Sequence, residues 1–137
     1  MARTRRQPSE RILVAGGPDD LPEITRMLQE LPANAYGQVF VEVALAEQVA
    51  TLPAPARVTV TWLVRSERPS AVSTLVFADH GEALAEAVTA WAAEWCVTGC
   101  EPRTTVWIGL AESPWVERAR SVVQLELADA GFDTLVG

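Results

Sequence analysis

Two adjacent glycines followed by carboxylates form the stretch of this chain best suited to chemistry. Residues 14–24, VAGGPDDLPEI, predict a strand that passes through Gly16 and Gly17 into a helix. A helix N-terminus reached through a glycine turn attracts phosphate, because its first amides are unpaired and the helix dipole adds about half a positive charge. Asp19 and Asp20 lie at the same N-terminus and would repel a phosphate. The stretch is either a nucleotide site or a helix start that its own carboxylates cap, and we favour the second interpretation.

The composition excludes several classes of site. All eleven basic residues are arginine, so the chain has no Schiff-base lysine, no P-loop lysine and no lysine of a phosphorylated receiver domain. Its net charge of −7 argues against a general affinity for nucleic acid, which requires clustered cations. Cys96, Cys100 and the single histidine, His80, are too few for a four-ligand zinc site. We expect two reduced, partly buried thiols, with a strained or regulatory disulfide between them as the alternative.

No apolar run approaches the roughly 20 residues that a membrane-spanning helix needs. The basic, polar start of the chain lacks the apolar core of a secretion signal, so we expect a cytoplasmic protein without membrane insertion. Residues 1–10 form a basic arm that carries three arginines. We interpret this arm mainly as a solvated tail, with contact to an acidic partner as the alternative.

Strand and helix patterns alternate along the rest of the chain. Apolar and β-branched runs predict strands at residues 11–15, 37–44, 57–64, 104–110 and 132–137, with a minor edge strand at 73–77 as one interpretation of that segment. Helical spacing of apolar residues predicts helices at residues 20–31, 82–95 and 116–130. Such alternation is typical of an α/β fold with right-handed crossovers. We therefore predict one domain, residues 11–137, built as a three-layer open sandwich around a parallel sheet.

A series of short motifs occurs in a characteristic order. The first motif, GGPDDLPEI, is similar to a turn of the form G-D-x-[TS]-A-L-P-A-I that is typical of one protein family. It is followed by QELPANAYG, by VFVEVA, by the proline-rich LPAPA, by VTWLVR and by WIGLAE. This order resembles the C-terminal nucleotide-binding domain of the siderophore-interacting proteins, which are flavin-dependent ferric-siderophore reductases related to the ferredoxin reductases. The resemblance runs from residue 11 to about residue 130.

The resemblance implies a five-stranded parallel sheet of order 3-2-1-4-5 and a site for NADPH or NADH. In the family a flavin-binding β-barrel precedes this domain, and an aromatic and basic segment follows it. Neither is present in the sequence, so we expect no flavin site and no complete reductase activity from this chain alone.

The resemblance also assigns site residues. The Ser/Thr of the family turn corresponds to Asp19, and the acidic residue before it corresponds to Gly17. A carboxylate about 4 Å from a bound phosphate costs several kcal/mol at a partly exposed site. This corresponds to about two to three decades of affinity. We therefore expect binding of NADPH or NADH to be weakened.

The remaining candidates follow the third and fourth strands. Arg65 and Arg68 lie where a 2′-phosphate of NADP would approach, or they belong to a solvated loop. The resemblance places Glu112 at the family's cofactor-binding glutamate, with Gly109 supplying room for close approach. Glu112 and Ser113 are equally typical of the first residues of a helix, and we favour that interpretation.

Two hypotheses about function follow. In the first, the chain is a degenerate nucleotide-binding-type domain that acts as a binding or assembly module in ferric-siderophore metabolism, through protein contacts that include self-association. In the second, it is an NAD(P)H-binding subunit that supplies hydride to a separate flavin protein. An active receiver domain is excluded, because strand one ends in Ala15-Gly16 and the chain has no lysine.

Overall fold

The computed structural model describes residues 10–68, 78–95, 104–110, 112–130 and 135–136. Its helices and strands, in chain order, are β1 Arg11–Gly16, α1 Leu21–Glu30, β2 Tyr36–Val43, β3 Arg57–Val64, α2 Glu82–Trp95, β4 Thr104–Ile108, α3 Pro114–Ala130 and β5 Leu135–Val136. The predicted bounds of β3 and α2 are confirmed, and the other long elements differ from their predicted bounds by one or two residues.

The strands form one parallel sheet with helices on both faces. The four strands of five to eight residues lie in the order β3-β2-β1-β4, and β1 is paired with β2 on one side and with β4 on the other. The position beyond β4 is held by two residues only, Leu135 and Val136, which pair with Trp107 and Ile108. The predicted α/β class with a parallel, helix-flanked sheet is confirmed.

The alternating side chains of β1 divide the core into two layers. Ile12 and Val14 pack with α1 and with the apolar residues of β2 and β3, whereas Leu13 and Ala15 pack with α2 and α3. Every residue of β1 is buried. This burial on both faces explains why the strand is a nearly continuous apolar run instead of an alternating one.

A buried carboxylate fixes the start of α2. Glu42, at the end of β2, is 2 % exposed and accepts hydrogen bonds from the amides of Gly81 at 2.6 Å and Leu84 at 3.1 Å. Glu82 accepts a further bond from the amide of Asp79 at 3.0 Å. Glu42 thus pairs amides at the N-terminus of α2, Glu82 pairs an amide of the preceding loop, and the charge of both carboxylates is favourable beside the helix dipole. The loop before α2 is thereby held against the end of β2.

Some predictions lie outside the described residues, namely the edge strand at 73–77 and the thiols of Cys96 and Cys100. In the part of the chain that the structure describes, no helix combines the length and apolar character needed to cross a bilayer.

Candidate functional site

The candidate site lies where β1 and β4 end side by side. The chain leaves β1 toward α1 on one face of the sheet and leaves β4 toward α3 on the other, so these two strands flank the switch point of the sheet. In open α/β sheets, ligands bind in the crevice beyond the carboxyl ends of such strands. Here the crevice is lined by Gly16 at the end of β1, by Gly17 directly after it, and by Gly109 and Leu110 after β4. The amide of Gly109 donates to the carbonyl of Ala15 at 2.8 Å, which joins the two walls.

The side chain of Asp20 occupies this crevice. Its Oδ2 accepts hydrogen bonds from the amide of Gly17 at 2.9 Å and from the amide of Leu110 at 3.2 Å. A Cβ added at Gly16 would lie 2.9 Å from the Asp20 carboxylate, and one added at Gly109 would overlap it. The space that these glycines leave open is therefore filled by a carboxylate, which already binds backbone amides from both strand ends.

This arrangement corrects the predicted capping of α1. We expected Asp19 or Asp20 to cap the free amides of α1, but Asp20 makes no side-chain cap bond to that helix. A capping residue normally has an extended backbone, whereas Asp20 has φ −90° and ψ −6° and ends a 3-10 turn, Pro18–Asp20. Its side chain therefore reaches back to Gly17 and across to Leu110. Asp19, which the family resemblance assigned to the cofactor-binding position of this turn, is exposed to solvent.

Leu110 is a site residue that the sequence did not reveal. It has φ +53°, a left-handed conformation that costs a leucine about 1–2 kcal/mol. Strained residues of this kind cluster at functional sites. Behind the same turn, Nη2 of Arg120 donates to the carbonyls of Ile108 at 2.9 Å and Gly109 at 3.4 Å. No sequence signal marks either residue, because leucine has no preference for this conformation and Arg120 reads as an ordinary helical arginine.

A second group of predicted site residues is joined by contacts to one histidine ring. Nη1 of Arg65 lies 3.1 Å from Nδ1 of His80, and Nε2 of His80 lies 3.2 Å from Oε1 of Glu112. Since arginine only donates, a bond from Arg65 requires Nδ1 of His80 to accept, which leaves Nε2 to donate to Glu112. His80 thus bridges the end of β3 and the turn before α3, a role that we did not predict for a loop histidine.

The pKa of Glu112 is lowered by a hydrogen bond from its own backbone amide and then by the bond from His80. The bridge is exposed, with 48 % of the His80 side chain and 69 % of the Glu112 side chain accessible. Its electrostatic contribution to stability is therefore small.

Two further candidates, Ser113 and Arg68, are not among the three residues of this bridge. Ser113 is 1 % exposed, its hydroxyl donates to the carbonyl of His80 at 3.0 Å, and it accepts a bond from the amide of Val116 at 3.4 Å. Ser113 therefore pairs an amide in the first turn of α3, as a helix-start residue does. Arg68 lies exposed after the 3-10 turn Arg65–Glu67.

The structure thus brings the predicted site residues together in two groups. One group surrounds the Asp20 carboxylate: Gly16, Gly17 and Gly109. The other surrounds His80: Arg65, Glu112 and Ser113. Among the described residues, no three histidine, cysteine or acidic side chains come close enough together to hold a metal ion.

Comparison with known proteins decides the family. The sequence profile of the siderophore-interacting proteins matches residues 9–131. The chain belongs to the siderophore-interacting protein family. Among curated proteins, uncharacterized proteins of Mycobacterium tuberculosis and Mycobacterium bovis are 40% identical over 81 residues, which is 58% of this chain and 28% of each relative.

Solved structures of other proteins share this fold. The crystal structure of a siderophore utilization protein from T. fusca aligns with a TM-score of 0.61 and 23% identity, covering 96% of this chain and 45% of that chain. The siderophore-interacting protein SipS from Aeromonas hydrophila aligns with a TM-score of 0.52 and 27% identity, covering 77% of this chain and 39% of that chain. The chain therefore spans less than half the length of these solved relatives.

Proposed function

We propose that this domain serves ferric-siderophore metabolism as a binding or assembly module, with its phosphate crevice closed by Asp20. Membership of the siderophore-interacting family supports the link to siderophores. The observation that carries the proposal is the position of the Asp20 carboxylate, which accepts the amides of Gly17 and Leu110 at 2.9 and 3.2 Å. The domain then acts through contacts with other proteins, including copies of itself.

The residues of the crevice do not fit a pyrophosphate as they stand. A pyrophosphate held at this switch point would need the amides of Gly17 and Leu110, which already pair with Asp20. It would have to displace a carboxylate that remains within a few ångströms of it. At about 4 Å and a partly exposed site, this repulsion is several kcal/mol, or about two to three decades of affinity.

The second candidate is an NAD(P)H-binding subunit that passes hydride to a separate flavin protein. The observation in its favour is the crevice itself, where Gly16 and Gly109 leave room for close approach of a ligand once Asp20 turns away. Arg65 adds a cation at the end of β3, where a 2′-phosphate would be paired. In this alternative, cofactor binding must rotate Asp20 out of the crevice.

A calorimetric titration separates the two candidates. NADPH and NADH are titrated into the wild-type chain and into the Asp20→Ala and Asp19→Ala variants. Asp19→Ala is the matched control, because it removes the same charge from the same turn without opening the crevice. We expect no heat of binding for the wild type and the control up to millimolar cofactor. Micromolar binding by the wild type would overturn the binding-module proposal and favour the NAD(P)H subunit.

A further inference from the structure

The imidazole ring of His80 lies between a cation and an anion that come from distant parts of the chain. Nη1 of Arg65 is 3.1 Å from Nδ1 of the ring, and Oε1 of Glu112 is 3.2 Å from its Nε2. A guanidinium only donates hydrogen bonds, so the bond from Arg65 requires an unprotonated Nδ1. Histidine is the side chain that ordinarily gains a proton between about pH 8 and pH 5. A proton on Nδ1 would turn the acceptor into a second donor and remove this bond.

The backbone that carries this ring is fixed from two sides. The carbonyl of His80 accepts a bond from the hydroxyl of Ser113 at 3.0 Å, and the next amide, that of Gly81, donates to the buried carboxylate of Glu42 at 2.6 Å. Gly81 has φ +88° and packs so closely on Ser113 that a Cβ there would overlap its hydroxyl. The loop therefore holds the ring in place, and a proton on its Nδ1 must be accommodated by movement of Arg65.

Arg65 is the partner that can move away. It lies at the start of the short 3-10 turn Arg65–Glu67, and its Nε is buried without a hydrogen-bond partner in the part of the chain that the structure describes. A buried donor without an acceptor costs free energy, which is recovered when the group reaches water. The contact with neutral His80 thus holds the guanidinium in a position that leaves part of it unpaired.

The charged groups on the elements around His80 make Arg65 the contact that protonation disfavours. These elements carry Arg65, Glu67 and Arg68 after β3, Glu42 at the end of β2, Asp79 and Glu82 next to His80 in the chain, and Glu112 before α3. Residues 69–77 and 111, which join them, contain no ionisable side chain. Glu112 keeps its bond when the ring is protonated, because Nε2 still donates and the bond becomes charge-assisted. Arg65 instead meets a second positive charge.

We propose that His80 is a proton-operated latch for Arg65. The neutral ring holds the guanidinium after β3, and protonation of the ring releases it. Two like charges about 4 Å apart disfavour their contact by about fivefold even with the full screening of water, and by more at a partly buried site. The released guanidinium then pairs with a carboxylate or phosphate, to which arginine binds through two parallel donors. This latch does not depend on whether the Asp20 crevice admits a nucleotide.

Nuclear magnetic resonance of the full chain from about pH 8 to about pH 5 tests the latch. The carbon-bound ring protons of His80 report its protonation. Hydrogen exchange of the Nε–H of Arg65, relative to that of free arginine at each pH, reports whether the guanidinium is held. We expect this protection to fall by about fivefold or more in step with the protonation of His80.

Two variants show whether the ring itself is responsible. His80→Gln, whose side chain does not titrate, should show constant protection of Arg65 over the same range. Glu112→Gln is the matched control, because it keeps the contact between Arg65 and His80. In this control the protection of Arg65 should again fall as the ring gains its proton.

Protection of Arg65 that stays constant while His80 titrates would overturn the latch. An equal fall in His80→Gln would assign the change to another group and overturn it as well. The amides of Gly81 and Leu84 report on the anchored loop through their bonds to Glu42, and their protection should stay constant. If their protection fell together with that of Arg65, the whole loop would be leaving Glu42, which contradicts the release of Arg65 alone.

Discussion

Replacing Asp20 with alanine tests whether its carboxylate holds the ends of β1 and β4 together. In the wild type, one carboxylate oxygen accepts the amides of Gly17 at 2.9 Å and Leu110 at 3.2 Å. The second of these bonds spans 90 positions of sequence and belongs to a leucine with φ +53°. Removing the carboxylate leaves two partly buried amides without this acceptor, and one of them belongs to a strained turn.

The magnitude follows from the two bonds. A hydrogen bond to a charged group contributes about 1.5–3 kcal/mol when fully buried, and an ordinary one contributes about 1 kcal/mol. Because Asp20 is half-buried and water replaces part of the loss, we take about 1 kcal/mol for each bond. We therefore expect Asp20→Ala to lower the free energy of unfolding by about 2 kcal/mol. Asp20→Asn keeps a neutral acceptor and should lose about half as much.

Urea unfolding with linear extrapolation measures these differences. Asp19→Ala is the control, because its exposed side chain should change stability by no more than about 0.5 kcal/mol. The order wild type, Asp20→Asn, Asp20→Ala, from most to least stable, is the expected result. The reasoning is refuted if Asp20→Ala costs no more than Asp19→Ala.

Three further predictions concern other parts of the domain. Glu42→Ala should lower the free energy of unfolding by about 3 kcal/mol in urea unfolding, because it leaves two buried amides at the start of α2 unpaired; a loss under 1 kcal/mol would contradict this. Gly37→Ala should unfold the domain or lower its melting temperature sharply, because Gly37 has φ +142° and a Cβ there would overlap the carbonyl of Ile12; a melting curve like that of the wild type would contradict this. The pKa of Glu112, measured by NMR titration, should lie below the 4.5 of an ordinary glutamate. Because folding lowers this pKa, the ionised carboxylate stabilises the fold slightly at neutral pH, and this stabilisation is lost as the pH falls through the folded pKa. His80→Ala should raise that midpoint only in part, because the bond from the backbone amide of Glu112 remains; an unchanged midpoint would contradict the bridge.

The fold could be predicted from the sequence because local residue patterns determine its strands and helices. The apolar run of β1, the alternation in β3 and the helical spacing in α2 each depend on neighbouring residues, and the parallel sheet follows from their alternation. Element ends were less predictable, as where α3 begins at Pro114, two residues before the predicted start. A proline is well suited to the first turn of a helix, but apolar spacing alone does not mark it.

The candidate site could be predicted from the sequence only in part. The glycine turn and its acidic residues were recognised, because both are encoded within residues 14–24. Which carboxylate enters the crevice depends on the 3-10 turn before α1 and on the amide of Leu110, which are tertiary features. The bridge from Arg65 through His80 to Glu112 likewise joins segments that only the fold brings together.

The most direct test of the closed crevice follows the amides of Gly17 and Leu110 by NMR while inorganic pyrophosphate is added. The experiment compares the wild type with Asp20→Ala. If the Asp20 carboxylate occupies the anion site, neither amide shifts in the wild type at millimolar pyrophosphate, and both shift saturably in Asp20→Ala. Saturable shifts of both amides in the wild type would contradict the closure of the crevice and favour a working nucleotide site.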